Sequence, residues 1–171
     1  MSESANMGLL SQDHEEEGQG SQYLTFKLAG EYYGVGILQV QEIRGWEAAT
    51  RLPNTPPHLK GVVNLRGNIV PVYDLRSWFG MPAAEYTKET VVIIVRVGHE
   101  GERRSMGMVV DEVSDVLVAK DDQVSATPSF NAAVPTEFLQ GLVSDGDDMV
   151  MLLDLNSLAG SSATHHAEGM A

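Results

Sequence analysis

Histidines are the side chains of this sequence best suited to acid–base chemistry or metal binding, but three of the five lie near the chain ends. His58 and His99 are the two in the central part of the chain. His58 precedes Asp74 and Ser77, which are residue types of a hydrolytic triad, yet no nucleophile-elbow motif surrounds Ser77. We therefore expect His58 to lie at the surface and the chain to have no catalytic residues.

The sequence also lacks the spacing patterns of metal and nucleotide sites. It contains no cysteine, which excludes disulfides, thiolate ligands and a cysteine nucleophile. Gly34 and Gly36 could begin a dinucleotide fingerprint, but Gln39 stands where the third glycine belongs. The aspartate-rich segment 145–148 lacks the spacing and the closing glutamate of an EF-hand, and it predicts a solvated hairpin turn. We expect neither a metal nor a cofactor.

Charge and hydropathy restrict the partners and the location. A formal net charge of −13 argues against nucleic acid, whose phosphates need a basic surface. No apolar run approaches the roughly 20 residues of a membrane helix, and the acidic N-terminal segment is unlike a secretory signal. We expect a cytoplasmic protein without direct membrane insertion. Segments 1–21 and 161–171 are predicted to be disordered tails, because they bury too little apolar surface.

The central part of the chain repeats itself. Residues 59–80 align without a gap on residues 139–160, and eight of the 22 positions are identical. A weaker similarity, with a shift of 73 residues, relates the segment 34–43 to the segment 107–116. We expect two repeats, about 22–88 and 89–160, and leave open whether strands cross between them. Each repeat is small for an independent core, so the two should share apolar surface.

The local patterns predict short strands and very short helices. Leu24, Phe26 and Leu28 alternate with polar residues, as in a strand with one buried face. Segments 62–65 and 69–73 flank a turn that contains Gly67 and predict a hairpin. Asp74 precedes a possible helical turn as an N-cap, and Asp154 repeats this arrangement. Such short strands and turns indicate an all-β fold built from small closed barrels.

For two segments the sequence does not distinguish a structural role from a binding role. Arg66 lies at a predicted hairpin tip where the second repeat has Gly146. It fits a contact with a partner carboxylate, and it equally fits an ordinary exposed turn cation. In the segment 40–45, Val40 and Ile43 predict a buried strand or turn with Glu42 in solvent.

Taken together, several segments that follow one another in the same order along the chain resemble the chemotaxis coupling proteins of the CheW family. The similarity covers roughly residues 22–160, and its most specific part is the sequence NLRG at 64–67 followed by PVYDLR at 71–76. The matching segments are 33–34, 37–45, 60–67, 69–76, 109–116 and 138–141. The family resemblance implies two SH3-like five-stranded barrels on a shared hydrophobic core, with short helices. It also implies a non-enzymatic scaffold.

Partners and contact residues follow from the same resemblance. Proteins of this family bind the cytoplasmic tip of chemoreceptors and the regulatory domain of the CheA histidine kinase, in arrays at the membrane. The positions that match the receptor-binding groove are Val40, Glu42, Arg66, Val113 and Val116. The positions similar to kinase contacts are Lys60, Gly61 and Phe130.

Departures from the family pattern leave some alternatives open. Ser125 replaces a basic residue that often precedes the phenylalanine, which would weaken kinase contacts. The family pattern does not explain the loop 100–104 or the acidic N-terminal segment. A CheW-like adaptor of a non-chemotactic array, controlling pili or development, stays possible. A small β-barrel ligand-binding protein is a further alternative, but no cluster of polar residues within an apolar pocket can be seen in the sequence.

Overall fold

Strands account for most of the described chain. The structure is a computed structural model that describes residues 20–46, 54–127 and 134–161. Its strands are β1 (Ser21–Leu28), β2 (Glu31–Gly36), β3 (Val40–Gly45), β4 (Leu59–Leu65), β5 (Asn68–Asp74), β6 (Val91–Val97), β7 (Arg104–Val110), β8 (Glu112–Ala119), β9 (Leu139–Asp145) and β10 (Asp148–Leu153). Two short α-helices follow β5 and β10: α1 (Leu75–Trp78) and α2, whose described part covers residues 155–161. The all-β fold class is confirmed.

Two five-stranded sheets exchange strands between the sequence repeats. Sheet I has the order β8-β1-β2-β10-β9, and sheet II has the order β3-β6-β7-β5-β4. Each sheet takes two strands from one repeat and three from the other. The predicted boundary near residue 88 therefore divides the repeats of the sequence and does not divide the sheets. This arrangement of two SH3-like barrels matches the expected fold.

The register of the sheets reproduces the repeat found in the sequence. In sheet I the parallel pair β2–β10 places Gly34 opposite Leu152. In sheet II the parallel pair β5–β7 places Gly107 opposite Val72. These two pairs are related by the same shifts of 73 and 80 residues that relate the repeats. A Cβ at either glycine would come within about 3 Å of a neighbouring side chain, so both positions favour glycine.

One hydrophobic cluster joins the two sheets. Phe26, Tyr33 and Leu153 of sheet I pack with Ile93 and Met108 of sheet II, and all five are almost fully buried. Full burial of such a side chain contributes about 1.5–3 kcal/mol. Neither sheet could bury these residues alone, so the shared core expected from the small size of the repeats is present.

The sequence of β6 is a nearly continuous apolar run because both faces of this strand are packed. Ile93 and Val95 face the core that both sheets share. Val92 and Ile94 point to the opposite face and pack in a second cluster that belongs to sheet II. Because both faces of β6 are covered, the strand lacks the alternation of apolar and polar residues that marks a half-exposed strand.

Equivalent aspartates begin the two helices, as predicted. The carboxylate of Asp74 accepts the backbone N–H of Ser77 at 3.2 Å, and that of Asp154 accepts the N–H of Ser157 at 3.1 Å. These bonds satisfy amides that a helix leaves unpaired in its first turn. The predicted tails lie outside the described residues, apart from Gly20, Ser21 at the start of β1, and residue 161 at the end of the described part of α2. Their disorder stays a prediction.

The close approach at Gly141 generates the first prediction. A Cβ there would lie 2.5 Å from a methyl group of Val124 and 2.9 Å from the backbone oxygen of Ser125. The substitution Gly141→Ala should lower the free energy of unfolding by about 1–3 kcal/mol, because the backbone must shift. Gly45→Ala is the matched control, since a Cβ at this strand position meets nothing within 4 Å. Equal urea midpoints for the two variants would contradict this account of the packing.

Candidate protein-binding site

Four of the five residues predicted to bind a receptor lie on β3 and β8. These strands stand at one end of the pairing order of sheet II and of sheet I. Val40 and Val113 occupy equivalent positions of the two repeats, and both are half-buried against the shared core. Val116, further along β8, is 46% exposed. Both strands thus carry apolar side chains from the rim of the shared core to the surface.

The pairing of β3 with β6 shifts register between Val40 and Glu42, so that Val40 lies opposite Val95, on the face of the shared core, and Glu42 lies opposite Ile94, on the other face. Both side chains are half-buried, whereas Gln41 is exposed and Ile43 is 44% exposed. The expectation that Glu42 would lie in solvent with Ile43 buried is therefore wrong. Because of the register shift, Val40 and Ile43 share one face although they are three residues apart, but Ile43 lies where that face is exposed. A charged side chain consequently lies at the rim of the apolar strip, on the other face of β3.

The strand β8 contains a bulge next to its exposed residues. The pairing of β1 with β8 shifts register between Leu24 and Phe26. At this point the hydroxyl of Thr25 accepts the N–H of Asp115 and donates to its carbonyl oxygen, both at 3.0 Å. The unpaired backbone groups of the bulge are thereby satisfied by a side chain. Beyond it, Val116 is exposed on the surface of sheet I.

Arg66 lies in the turn of the predicted hairpin between β4 and β5, and this turn has two residues. The φ angles are 51° at Arg66 and 88° at Gly67, as tight hairpin turns require. A guanidinium nitrogen of Arg66 lies 3.1 Å from one carboxylate oxygen of Glu42, and Nε of Arg44 lies 3.3 Å from the other. The structure thus brings two predicted site residues, Glu42 and Arg66, into contact across the outer strands of sheet II.

This ion pair orients a charge and contributes little stability. The side chain of Arg66 is 76% exposed and that of Glu42 is 24% exposed. Pairs of such exposure contribute about 0–1 kcal/mol, because water screens them. The equivalent positions of the second repeat are Gly146 and Asp115, so no cation is available there. The pair therefore marks one of two otherwise similar surfaces.

An open groove of about 810 Å³ lies beside β8 and the segment that precedes β3. Leu38, two residues before Val40, lines it and is 97% exposed. Val118, two residues beyond Val116, lines it as well, and every lining residue is uncharged. Sequence reasoning missed this groove, since an exposed leucine in an apolar segment looks like a core residue. No pattern in a single sequence distinguishes the two.

The predicted kinase contacts Lys60 and Gly61 lie near the start of β4, at the other end of this strand from Arg66. The ammonium of Lys60 is 5.8 Å from the ring centroid of Tyr86, which packs edge-on against Trp46 at 4.6 Å. Gly61 is buried, has a φ of 143° and lies where the register of β4 and β5 shifts. Phe130, the third predicted contact, lies outside the described residues.

Ser125, the departure from the family pattern, has a structural partner. Its backbone N–H donates to the carbonyl oxygen of Leu142 at 2.8 Å, and its own carbonyl accepts the N–H of Leu142 at 2.9 Å. This bridge adds the segment around residue 125 to the edge of sheet I beside β9. The identity of the side chain at this position does not affect these backbone bonds.

A half-buried ion pair lies between the two sheets. The guanidinium of Arg76, in α1, donates two hydrogen bonds to the carboxylate of Asp111, at 2.9 and 2.6 Å. The same carboxylate accepts the backbone N–H of Ala29 at 2.9 Å. Burial would by itself raise the pKa of Asp111, but the hydrogen bonds from Arg76 and Ala29 and the positive charge of Arg76 lower it below its ordinary value.

The buried carboxylate of Asp74 lies two residues before Arg76 in the chain. Asp74 accepts a short hydrogen bond from the hydroxyl of Tyr86. Burial, followed by this bond and by the negative charge of Asp74, raises the pKa of the Tyr86 phenol. Tyr86 therefore stays protonated and acts as a donor throughout the physiological pH range.

His58 differs from the surface residue that the sequence predicts. It is half-buried, and its ring stacks on Trp78 at 5.0 Å and on Tyr73 at 5.8 Å. The equivalent position of the second repeat holds the buried Phe138, so position 58 is an aromatic packing position of the repeat. The sequence alone did not show this because a histidine is not recognised as part of an apolar pattern.

The described residues present a surface suited to binding. Among residues 20–46, 54–127 and 134–161, no group of three or more carboxylate or histidine side chains is arranged to hold a metal ion. No helix within these segments is long and apolar enough to cross a membrane. What this part of the chain does offer is an apolar strip with a charged rim on a rigid two-barrel frame. Such a fold and surface define a protein-binding scaffold.

Comparison with known proteins identifies the family. The family model described as the CheW-like domain matches residues 22–163. The chain is 45% identical over 142 residues to the chemotaxis protein CheW of Klebsiella aerogenes, covering 83% of each chain. It is 34% identical to CheW of Rhizobium meliloti, over 81% of this chain and 87% of that protein. The scaffolding protein TtCheW from Thermoanaerobacter tengcongensis superposes with a TM-score of 0.74 at 31% identity, over 82% and 92% of the two chains.

The chain belongs to the CheW family. It is a scaffold protein of chemotaxis, and the resemblance inferred from its sequence motifs is confirmed. These comparisons favour chemotaxis over the alternative pathways that the sequence left open. They do not test the individual contact residues, which stay predictions.

The lowered pKa of Asp111 generates a prediction on acid stability. A carboxylate whose folded pKa lies below its ordinary value of 3.8 stabilises the protein above that pH and loses this contribution as the pH falls through the folded pKa. Asp111→Asn should therefore lower the free energy of unfolding by about 1 kcal/mol at pH 7, after allowance for partial exposure. Urea titrations at pH 7 and pH 3 should show the difference from wild type shrinking in acid. A constant difference would contradict this role of the ion pair.

Proposed function

We propose that the protein binds the cytoplasmic tip of chemoreceptors and the regulatory domain of a CheA-type histidine kinase, and that it does so without catalysing a reaction. The observation that carries this proposal is the apolar strip of β3 and β8, with the Glu42–Arg66 ion pair at its rim. A scaffold of this kind acts through binding energy alone. It would reach the cytoplasmic face of the membrane through its partners.

The receptor side is supported by the shape and polarity of the strip. Val40, Val113 and Val116 form apolar positions on both outer strands, and the uncharged groove at Leu38 extends them. A helical hairpin offers apolar residues with a spacing of three and four, which suits a groove of this kind. Charges at the rim fix orientation and reject wrong partners more than they add affinity. Glu42 with Arg66 supplies both signs of charge at this rim.

The kinase side is supported by the aromatic surface near the start of β4. Lys60 lies over Tyr86, and Tyr86 packs against Trp46. Aromatic side chains with a nearby cation are common at the centre of protein interfaces. We assign Gly61 a supporting role, because it is buried and its φ of 143° is one that other residues rarely adopt. Phe130 is retained as a proposed contact from the family resemblance.

The two proposed sites can be occupied together. Lys60 and Arg66 are six residues apart along β4 and its turn, which corresponds to about 20 Å in an extended strand. Partners at opposite ends of β4 would therefore contact different residues of this chain. Simultaneous binding is the property that a coupling protein needs.

The first test measures binding to each partner and to both. Purified protein would be titrated by calorimetry with a receptor cytoplasmic fragment, with the kinase regulatory domain, and with one in the presence of the other. Specific binding to both partners supports the proposal. A folded sample that binds neither would overturn it.

A charge reversal tests the receptor site. Arg66→Glu should leave the free energy of unfolding within about 0.5 kcal/mol of wild type, because the side chain is largely exposed. Receptor binding should nevertheless be lost, and Glu42→Lys should behave in the same way. The double variant Glu42→Arg with Arg66→Glu restores an ion pair of reversed direction. If it binds the receptor normally, the receptor does not read these charges and the assignment is wrong.

The kinase site is tested separately by Lys60→Glu. Because the ammonium of Lys60 lies over an aromatic surface at the opposite end of β4 from Arg66, kinase affinity should fall at least tenfold. Receptor affinity should stay within twofold of wild type. Lys88→Glu makes the same change of charge at an exposed position and is the matched control. Equal effects of the two variants on kinase binding would show a general charge effect instead of a contact.

A further inference from the structure

We infer that Arg76 and Asp111 are positioning residues that couple the two proposed sites, so that occupation of one changes the affinity of the other. This inference rests on the proposed function. It starts from the position of Asp111, the single residue between β7 of sheet II and β8 of sheet I. The strand that carries the proposed receptor residues Val113 and Val116 therefore begins immediately after it.

Asp111 is fixed by groups from both sheets. Its backbone N–H donates to the carbonyl oxygen of Lys27, and its carboxylate accepts the N–H of Ala29, in the turn between β1 and β2. Arg76 holds the same carboxylate from the side of sheet II. A two-pronged guanidinium–carboxylate pair fixes direction as well as distance. Any shift of α1 relative to sheet I must therefore move or break this pair.

Contacts lead from Arg76 to the proposed kinase site. Arg76 lies in α1, whose N-cap is Asp74. Asp74 accepts the hydroxyl of Tyr86, and the ring of Tyr86 lies beneath the ammonium of Lys60 and against Trp46. A partner that presses on this aromatic surface therefore acts on a side chain bonded to the start of α1.

The second repeat shows that the fold itself does not require a charged pair here. The residue equivalent to Arg76 is Asn156, in α2, and its side-chain oxygen accepts the N–H of Gly98 directly at 2.9 Å. Gly98 follows β6 as Ala29 follows β1, so each helix holds the equivalent hairpin turn. A neutral hydrogen bond suffices in one half. In the other half an ion pair replaces it, at the point where the chain crosses between the two proposed sites.

Partial burial makes this pair suited to transmit a displacement. The side chain of Arg76 is 19% exposed and that of Asp111 is 31% exposed. Separating two such charges leaves each poorly solvated, so the pair resists small shifts and favours rigid movement of α1 with β8. Two sites that bias the same element are coupled, and the coupling is reciprocal.

The test compares binding of the receptor fragment with and without saturating kinase regulatory domain, using the full chain. In wild type the receptor affinity should change about fivefold or more when the kinase domain is bound. In the double variant Arg76→Gln with Asp111→Asn, which keeps neutral hydrogen-bonding groups, this ratio should fall below twofold. Each separate affinity should stay within twofold of wild type. If Arg76→Gln with Asp111→Asn fails to fold, Arg76→Lys is the alternative variant. It keeps the positive charge but cannot donate two parallel hydrogen bonds, so the ratio of receptor affinities should be intermediate.

The control removes the neutral hydrogen bond of the other half. Asn156→Ala should destabilise the protein while leaving the fivefold ratio intact. Equal loss of the ratio in this variant would overturn the inference, because it would show a general effect of stability. So would a wild-type ratio near one, or an unchanged ratio in the charge-neutral variant. Failure of wild type to bind either partner separately would instead overturn the proposed function.

Discussion

Both sheets depend on parallel pairing between a strand of one repeat and a strand of the other. The pairs β2–β10 and β5–β7 place Gly34 opposite Leu152 and Gly107 opposite Val72 in the same register. Glycine at these two positions permits the close approach of the strands. Without these pairs neither sheet would have five strands, and neither face of the shared core would be covered. The two repeats are therefore one cooperative unit.

This exchange of strands determines where a binding surface can form. Sheets I and II meet over one core, and β3 and β8 are the equivalent outer strands at its rim. Val40 and Val113 contribute to the core and to the surface at once. A groove built on such strands is rigid, because its floor is the core itself. The entropy cost of forming the surface is met during folding and not during binding.

The sequence allowed the repeat, the hairpin at Arg66 and the aspartate caps to be predicted, because each depends on local residue types. It did not show how the side chains of Glu42 and Ile43 are oriented, since the register shift between Val40 and Glu42 leaves no pattern in a single sequence. The stacking of His58 and the exposure of Leu38 were also missed. Both depend on neighbours that are distant in the chain. Long-range placement, unlike local propensity, leaves no pattern in one sequence.

The two repeats differ in their ion pairs, and these differences bear on function. A repeat protein needs the same core and the same caps twice, and here it has them. The Glu42–Arg66 pair and the Arg76–Asp111 pair each occur once, while the equivalent positions hold residues that cannot form them. Neither pair is demanded by the fold, because the other half folds without it. We propose recognition of a partner for the exposed Glu42–Arg66 pair, and coupling of the two proposed sites for the half-buried Arg76–Asp111 pair.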